Sequence, residues 1–417
     1  MKKFLLLLIW FATIVYAVIW TFENPEKVEK IKNEFKKNEK VETKVVSGNS
    51  KNISANSFTV KLTQVLENKT KTAFVVYPDN IQKFDPLNLT IFTQTGQKIN
   101  RNKSKKINLP NYFTLQRNGG VKTIFYLEEK IFALISGSEK ECFFASIIFL
   151  ENGEEVFRSK CLPEDPSNND FNGLGSSNIH LNESILLTLG TPEKHISKNS
   201  LLAQKDSSMF GKVLEIKKND LIEALKKKSI DLKINVFSKG HRVPQGLTVL
   251  NDKVFNVEHG PKGGDELNQV IKGKNYGWPV VSYGTNYLKN KGGDGKSIKV
   301  SHEDKDYEEP LFAFVPSVGV SALNNCPSIL KKYYKKPCLL ALSLYGNDLR
   351  KGHSLIVFLL NKNLDKVQSI EKISLDNLIL RHFVTNKENI IYEDDSGAIY
   401  VSADKKGIYK IEFTDFR

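Results

Sequence analysis

Oxygen-bearing residues are concentrated in one short stretch of the sequence. Residues 260–266 directly follow an apolar strand pattern and contain three glycines, a proline, Asp265 and Glu266, and residues 275–277 follow closely. Glycines permit turns that point backbone carbonyls away from a sheet, so the stretch supplies a dense set of hard oxygen donors. Such donors suit Ca²⁺, which takes about six to eight oxygens, and do not suit Zn²⁺ or copper. The alternative interpretation is a polar hairpin loop.

A second polar motif precedes this loop by about one pair of strands. Residues 241–246 read HRVPQG, in which Arg242 supplies a guanidinium and Gln245 an amide. The loop that holds these side chains could lie beside the calcium loop in the fold. A guanidinium and an amide beside a divalent cation are suited to an anionic ligand that carries carboxylates.

Three segments in this region also resemble a known family. GHRVPQGL, VEHGPKGGDELN and GKNYGWPVVSYGTNY occur in this order between residues 240 and 287. In order and spacing they resemble the soluble pyrroloquinoline-quinone (PQQ)-dependent aldose dehydrogenases, the glucose/sorbosone dehydrogenase family. The resemblance is best over residues 172–413 and is barely detectable before residue 160. It implies an all-β, six-bladed β-propeller that oxidises an aldose to its lactone with PQQ and calcium.

The resemblance also implies roles for individual residues. The side chains that would hold the quinone are two arginines and an amide: Arg242, Gln245 and Arg381. The carbonyls that would ligate the calcium polarising this quinone belong to Gly260 and Pro261. A second, structural calcium region would contain Asp265, Glu266 and Tyr276.

The sequence departs from the family pattern at five positions that are ligand or catalytic positions in it: Asn172, Thr191, Val243, Tyr345 and Ile379. Asn172 occupies the expected position of the catalytic histidine, and an amide cannot accept a hydroxyl proton at neutral pH. Losing a general base lowers a rate by roughly 10²–10⁴-fold. The catalytic residue is therefore unassigned, although four histidines could replace it: His180, His195, His259 and His382.

Two functional hypotheses follow from these motifs. In the first, the protein is a calcium- and PQQ-dependent enzyme that oxidises an aldose. In the second, it is a non-catalytic, membrane-tethered propeller that binds a sugar, a glycan or a protein. The missing base argues for reduced or lost activity, which favours the second hypothesis. The family assignment does not depend on the base.

The elements that would position these residues are short strands. From about residue 56, short apolar or alternating runs are separated by Asn, Asp, Gly, Lys and Pro, which is typical of an all-β sandwich, barrel or propeller. Residues 178–190, 246–260 and 383–397 share a scheme of strand, polar turn and second strand. This similarity predicts a repeat of about 60–70 residues, hence five or six propeller blades. Only residues 218–228 indicate a helix, with Asn219 or Asp220 as its cap.

The N-terminus predicts export. Two lysines precede an uncharged apolar run that ends at Phe22, so residues 1–22 are expected to be a signal anchor, or a signal peptide cleaved after Ala17. The charged residues 23–55 indicate a stalk or linker, and residues 56–417 the propeller. We expect an inner-membrane anchor with the propeller in the periplasm, or secretion if the N-terminus is cleaved.

The net charge of +14 resembles that of a nucleic-acid-binding protein, but its composition does not. Lysines greatly outnumber arginines and are scattered along the chain. Nucleic-acid recognition favours arginines in a defined patch with stacking aromatics. The charge therefore indicates a lysine-rich solvated surface and no nucleic-acid partner.

The four cysteines fit an exported protein, because disulfides persist in oxidising compartments. Cys142 and Cys161 bracket two apolar strands, and Cys326 and Cys338 flank a short loop. Of the three possible pairings, the sequence favours the local one, with unpaired buried thiols as the alternative. No pair has the CxxC spacing of a zinc or redox site.

Overall fold

The computed structural model describes most of the chain after residue 42. The described residues are Trp20, Thr21, Asn24, Lys27, 43–78, 84–163, 168–175, 177–287, 294–298, 301–302, 306–344, 353–375 and 377–417. The predicted signal anchor, apart from Trp20 and Thr21, and most of the predicted stalk lie outside these residues. Among the helices that are described, none has the length and apolar character needed to cross a membrane.

The described strands form six antiparallel sheets, which are the six blades of a β-propeller. Three strands precede the first complete blade: β1 (Thr43–Val45), β2 (Lys51–Ser54) and β3 (Thr59–Asn68). Blade 1 contains β4 (Thr72–Val76), β5 (Thr90–Thr93), β6 (Gln97–Asn100) and β7 (Lys103–Lys106). Blade 2 contains β8 (Val121–Leu127), β9 (Lys130–Glu139), β10 (Cys142–Phe149) and β11 (Glu154–Arg158).

The next three blades repeat the same four-stranded meander. Blade 3 contains β12 (Asn178–Leu181), β13 (Ser184–Leu189), β14 (Lys212–Lys217) and β15 (Ile234–Lys239). Blade 4 contains β16 (Val243–Leu250), β17 (Lys253–His259), β18 (Asp265–Val270) and β19 (Phe312–Phe314). Blade 5 contains β20 (Val320–Asn325), β21 (Cys338–Ser343), β22 (Ser354–Leu360) and β23 (Val367–Ser374).

Blade 6 joins the two ends of the described chain. It contains β24 (Leu380–Phe383), β25 (Ile399–Ala403) and β26 (Gly407–Thr414), and its fourth strand is β3 from the N-terminal side. The short strands β1 and β2 pair with β3, so part of the segment assigned to the linker contacts the propeller. The ring is therefore closed by hydrogen bonds between sequence-distant strands. The prediction of an all-β, six-bladed propeller is confirmed.

The hydrophobic core consists of layers between neighbouring blades, with one cluster of buried residues for each pair of blades. Alternation along single strands produces this arrangement, because successive side chains of a strand point to opposite faces. On β9, Phe132 and Leu134 pack towards blade 3, whereas Ala133 and Ile135 pack towards blade 1. Each blade is thus apolar on both faces, and polar groups are left for the ends of the channel.

Two helices and two disulfides complete the described structure. Helix α1 (Lys218–Lys227) matches the predicted helix, but its N-cap is Lys217, which makes no side-chain capping bond, so the predicted Asn219 or Asp220 cap is wrong. Helix α2 (Ser328–Tyr334) was not predicted. The Cys142–Cys161 and Cys326–Cys338 disulfides are both present, which confirms the local pairing.

Five of the six innermost strands contain a β-bulge near their first residue. In each case one residue lies between two paired residues and has no partner on the neighbouring strand: Ala73, Lys122, Gln245, Ser321 and Arg381. A bulge bends its strand and redirects a side chain. The bulges therefore place residues of five blades in equivalent positions at one end of the propeller channel.

Candidate functional site

A cavity of about 410 Å³ opens at this end of the channel and is lined by residues from blades 1, 2, 4, 5 and 6 and from the loop that precedes blade 3. Its wall is formed by the beginnings of the innermost strands and by the loops that follow the second strand of several blades. These parts meet because the first two strands of each blade are antiparallel. The propeller fold therefore brings together residues that are far apart in the sequence.

Most of the residues predicted for the site line this cavity: Asn172, Arg242, Gln245, Gly260, Pro261, Asp265 and Arg381. Glu266 and Tyr276 do not line it, but lie in blade 4 around a much smaller adjoining space that also contacts Arg242 and Gly260. Two cations that the sequence did not suggest are also in the wall, Lys71 and Lys122.

The cavity is strongly cationic. Four of its described residues are lysine or arginine: Lys71, Lys122, Arg242 and Arg381. Its single described acid is Asp265, which is 1 % exposed and accepts hydrogen bonds from the backbone N–H groups of Gly260, Val318, Gly319 and Val320. This carboxylate fixes the loops of blades 4 and 5 and is already fully hydrogen-bonded. The charge that remains for a ligand is positive, and it suits a molecule with several carboxylates or phosphates.

Arg242 is held from several sides. Its Nη1 donates to the carbonyl of Gly260 over 2.6 Å and to that of His259 over 3.3 Å. Its guanidinium lies 5.1 Å from the ring centre of Trp278, at a cation–π distance. The Nε, 3.9 Å from Glu193 Oε1, is buried and has no hydrogen-bond partner among the described residues. The guanidinium is therefore positioned in advance and retains donor capacity.

Glu193 is a buried acid that the sequence did not single out. Its carboxylate accepts hydrogen bonds from the hydroxyls of Thr191 and Ser200 behind Arg242. Burial raises the pKa of Glu193 to about 7, although the charge of Arg242 acts against this rise. Thr191, one of the five departures, also donates through its backbone N–H to the Arg242 carbonyl over 2.8 Å. This region therefore fixes both the backbone and the side chain of Arg242.

Arg381 is oriented by an acid of its own blade. Its guanidinium forms a two-pronged ion pair with the buried Asp404, with the Nη2 at 2.5 Å from Oδ2. The next residue, His382, also lines the cavity. Burial, followed by the charge of Arg381, lowers the pKa of His382 to about 4. This imidazole is therefore neutral at physiological pH.

The second predicted calcium region is a buried polar cluster. Glu266 lies beside Glu258, and Asn268 Nδ2 bridges the two carboxylates at 3.3 and 3.4 Å. Burial and the neighbouring charge of Glu258 raise the pKa of Glu266 well above its usual range. The Tyr276 hydroxyl instead donates to the Gln269 carbonyl and accepts from the Ile271 N–H. Within the described residues no group of three or more His, Cys, Asp or Glu side chains is arranged to hold a metal, and the calcium assignments stay predictions.

The expected position of the base is connected to Lys122 by a chain of hydrogen bonds. The exposed Asn172 donates its backbone N–H to Asp170 Oδ1 over 2.9 Å, and the Asn118 side chain donates to the same oxygen over 3.1 Å. The Asn118 carbonyl in turn accepts from Lys122 Nζ over 2.7 Å. The Lys122 amine thus stands at the cavity wall on the Asn172 side.

The environment of Lys122 disfavours its charged form. Burial lowers the pKa of Lys122 to about 7, the charges of Arg381 and Lys71 act in the same direction, and that of Asp170 opposes them. The neutral form of the amine is therefore favoured more than in an ordinary lysine. Sequence patterns do not reveal this, because Lys122 lies within the apolar run VKTIFYL and the bulge that turns it inward depends on the pairing with the neighbouring strand.

Of the four histidines considered as replacement bases, two line the cavity, His259 and His382. The His259 ring donates from Nε2 to the Val320 carbonyl, and burial lowers its pKa. His180 and His195 lie elsewhere in blade 3 and the following loop. Among the other departures, Val243 is buried in the pairing of β16 with β17, and Tyr345 is outside the described residues.

Comparison with known proteins defines the class. The family model "Glucose / Sorbosone dehydrogenase" matches residues 147–406, and the chain therefore belongs to the glucose/sorbosone dehydrogenase family. Aldose sugar dehydrogenase YliI of Escherichia coli (strain K12) is 39% identical over 90 residues, which are 21% of this chain and 23% of that protein. Quinoprotein glucose dehydrogenase B of Acinetobacter calcoaceticus is 34% identical over 125 residues, 28% of this chain and 26% of that protein. These alignments thus span about a quarter of each relative.

Solved structures agree on the fold over almost their whole length. The apo-form of the soluble aldose sugar dehydrogenase from Escherichia coli matches with a TM-score of 0.60 at 19% identity, over 85% of this chain and 99% of that one. The PQQ-bound aldose sugar dehydrogenase from Streptomyces coelicolor matches with a TM-score of 0.54 at 14% identity, over 90% and 98%. At these low identities the structural likeness supports the propeller fold and nothing more specific.

Proposed function

We propose that this protein is a PQQ-dependent oxidoreductase that oxidises an aldose to its lactone in the axial cavity. The observation that supports the proposal is the convergence of Lys71, Lys122, Arg242 and Arg381 on one cavity of a glucose/sorbosone dehydrogenase-family propeller. A cavity of about 410 Å³ lies within the range of small-molecule sites, about 300–1,000 Å³. The substrate class is that of the curated relatives.

The residues present fit PQQ, which carries three carboxylates on a planar ortho-quinone. Arg242 and Arg381 would bind carboxylates, and the unpartnered Nε of Arg242 provides a buried donor among the described residues. Gln245, which a bulge turns towards the cavity, would donate from its amide. When bound, PQQ would supply a two-electron oxidant, and the protein's part is to hold the sugar against it and to accept a proton.

Calcium is the less complete part of this proposal. The carbonyls of Gly260 and Pro261 are hard donors in the cavity wall, as Ca²⁺ requires. However, the Gly260 carbonyl accepts the 2.6 Å hydrogen bond from Arg242. Because a guanidinium and a calcium ion repel each other, we infer that Arg242 must withdraw from Gly260 when calcium binds there.

The alternative function is a non-catalytic propeller that binds a sugar, a glycan or a protein. The observation that favours it is Asn172 at the expected position of the base, since its amide cannot accept a proton. Both functions use the same cavity. They differ in whether bound aldose is oxidised.

Calorimetric titration with PQQ, with and without Ca²⁺, followed by dye-reduction assays with several aldoses, tests the proposal. We expect PQQ binding and sugar-dependent dye reduction in the wild-type protein. Arg242→Ala should weaken PQQ binding by about 10- to 150-fold, because a charged hydrogen bond contributes about 1.5–3 kcal/mol. Arg101→Ala, at an exposed turn outside the cavity, is the matched control and should bind PQQ normally.

Three results would decide against parts of the proposal. Absence of PQQ binding would exclude the quinone-dependent function. Unchanged binding in Arg242→Ala would show that the quinone is held elsewhere. Binding of PQQ and of an aldose without dye reduction would establish the non-catalytic alternative.

We also propose that the propeller works outside the cytoplasm, on an inner-membrane anchor formed by residues 1–22 or as a secreted protein. The two disulfides support this location, because such bonds are rare in reducing compartments. Fractionation of cells with and without signal-peptidase inhibition would test it. Full-length protein in the cytoplasmic fraction would contradict it.

A further inference from the structure

The proposed oxidation needs a group that accepts the sugar's hydroxyl proton, and Asn172 cannot do so. We propose that the Lys122 amine is this base, an inference that rests on the proposed function. In the reaction, the C1 hydroxyl proton passes to Lys122 Nζ while the C1 hydrogen leaves with its electron pair for an ortho-quinone oxidant. The C1–O bond becomes the lactone carbonyl. The ammonium then releases its proton to water, and the reduced oxidant takes up one proton, which balances the reaction.

The position of Lys122 in the fold is the first argument. Lys122 is the unpaired residue of the bulge on β8, as Gln245 is on β16 and Arg381 on β24. All three side chains line the same cavity. The blades are repeats of one architecture, so equivalent bulges direct these three residues to one ligand. Lys122 thus has the same structural relation to the cavity as the two predicted cofactor contacts.

The hydrogen bonding of Lys122 is the second argument. The amine donates to the Asn118 carbonyl over 2.7 Å, and no described carboxylate forms an ion pair with it. A neutral amine in this geometry keeps a second N–H and a lone pair for the sugar. Hydrogen bonds through Asn118 and Asp170 connect the Lys122 amine to the backbone N–H of Asn172. The proposed base therefore lies on blade 2, next to the position, residue 172, where the family pattern places the base.

The charged groups that face Lys122 come from three neighbouring elements. Lys71 precedes β4, Arg381 lies on β24, and Asp170 precedes the short helical turn Phe171–Leu174. Burial is the main cause that lowers the pKa of Lys122 to about 7; the charge of Asp170 opposes the shift, and those of Arg381 and Lys71 add to it. A base is most effective when its pKa is near the working pH. The two cavity histidines meet this condition less well, since His259 donates to a carbonyl and the pKa of His382 is about 4.

Two substitutions at Lys122 separate its basicity from its charge. Lys122→Met removes both, whereas Lys122→Arg keeps a cation that cannot lose its proton. We expect both variants to lose about 10²–10⁴-fold in kcat at saturating PQQ, and Lys122→Met also to bind PQQ more weakly because it removes a cation from the cavity wall. Methylamine should restore part of the rate of Lys122→Met. The wild-type kcat should rise with pH through about 7, and this rise should vanish in both variants.

Lys71→Met is the matched control, because it removes a cation from the same wall without removing the proposed base. It should weaken PQQ binding and keep a kcat that rises with pH, with the rise displaced to higher pH because the charge of Lys71 no longer lowers the pKa of Lys122. A measurement without PQQ completes the test: acetylation of the apo-protein at increasing pH, followed by mass spectrometry of the Lys122 peptide. The midpoint for Lys122 should lie at about 7, whereas exposed lysines react with a midpoint of about 10.4.

The outcomes separate this inference from the proposed function. An active wild type with unchanged kcat in Lys122→Met or Lys122→Arg would overturn only the assignment of the base. So would an acetylation midpoint near 10, or a variant that loses PQQ affinity but keeps its kcat at saturating PQQ. A wild type that binds PQQ and oxidises no aldose would overturn the proposed function, and the base with it.

Discussion

Single residues around the cavity determine which charges a ligand meets, and Arg242 is the most constrained of them. Its guanidinium lies between the Gly260 carbonyl, the Trp278 ring and Glu193. Because burial raises the pKa of Glu193 to about 7, the acid is about half ionised near neutrality, and the local charge at Arg242 changes with pH. The arrangement couples Arg242, a proposed cofactor contact, to a titrating acid.

This coupling predicts a pH-dependent stability. The folded protein holds the Glu193 proton more tightly than the unfolded chain, so this group's contribution to stability is complete below its ordinary pKa of 4.5 and is lost as the pH rises to about 7. Glu193→Gln removes that loss. Between pH 5 and pH 8, the stability of the variant relative to wild type should rise by about 2.5 kcal/mol.

Urea unfolding at the two pH values measures this difference. Glu223→Gln is the control, because Glu223 is an exposed partner of Lys227 on α1 and should show no such pH dependence. If Glu193→Gln and wild type changed in parallel between pH 5 and pH 8, Glu193 would not be the titrating group.

Metal binding at Glu266 is testable at the same scale. Two buried carboxylates with one bridging amide repel each other when both are ionised, and a divalent cation would relieve this repulsion. Calcium at about a hundred times its dissociation constant would add about 2.7 kcal/mol to stability. We therefore expect Ca²⁺ to raise Tm by several degrees and a chelator to reverse the rise.

Glu266→Gln should abolish the calcium effect on Tm, and Mg²⁺ should reproduce it poorly because it requires a tighter octahedral site. Differential scanning calorimetry provides the measurement. A Tm that is insensitive to both calcium and chelator would exclude calcium from this cluster.

At the scale of elements, the β-bulges connect the fold to the site. The apolar alternation of the strands predicted the blades, because burial of both faces of each sheet leaves a strong pattern in sequence. It did not predict which residues reach the channel. Lys122 and Arg381 occupy ordinary strand positions in sequence, and only the shifted pairing of β8 and β24 directs them inward. That pairing depends on the neighbouring strand, which a local pattern does not contain.

Of the three segments that share the predicted strand–turn–strand scheme, two form the expected pair of strands and one does not. Residues 178–190 and 246–260 contain the first two strands of blades 3 and 4 as expected. Residues 383–397 do not, since after Phe383 the chain forms isolated bridges at Thr385 and Glu393 before β25 begins. An apolar segment there packs as a loop between blades. The contacts with those blades, rather than strand propensity, determine its structure.

The predicted calcium loop, residues 260–266, can be tested as an element. A Cβ on Gly260 would lie 2.2 Å from the Gly263 carbonyl oxygen and 2.3 Å from that of Gly264. Gly260→Ala should therefore open the loop, lower the stability by about 1–3 kcal/mol and weaken PQQ binding. Gly273→Ala is the control: its Cβ meets no atom within 4 Å, and its φ of +83° costs about 1 kcal/mol without touching the cavity.

Thermal unfolding and PQQ titration of both variants provide the comparison. The expected result is that the two variants differ in PQQ affinity more than in Tm. Equal affinity in Gly260→Ala and Gly273→Ala would show that the loop conformation is not required for the quinone.

At the scale of the whole molecule, closure of the ring holds the cavity together. The strand β3 is hydrogen-bonded to β26 along its whole length, and the cores on both sides of blade 6 include residues from it or next to it: Phe58, Val60, Leu62 and Leu66. Arg381 and His382 reach the cavity from the innermost strand of the same blade. Loss of β3 would therefore disturb the site although β3 itself lies at the outer edge.

Truncations test this closure. A chain of residues 43–417 should fold like the full-length protein, and a chain of 56–417 should fold with lower stability because it lacks β1 and β2. A chain of 70–417 should not fold. It loses four buried apolar side chains, each worth about 2–5 kcal/mol and together about 8–20 kcal/mol, which is as large as the usual 5–15 kcal/mol stability of a whole domain. It also exposes the unpaired edge of β26, which favours aggregation. Cooperative melting of the 70–417 chain near the full-length Tm, measured by circular dichroism, would show that the other five blades support the ring without β3.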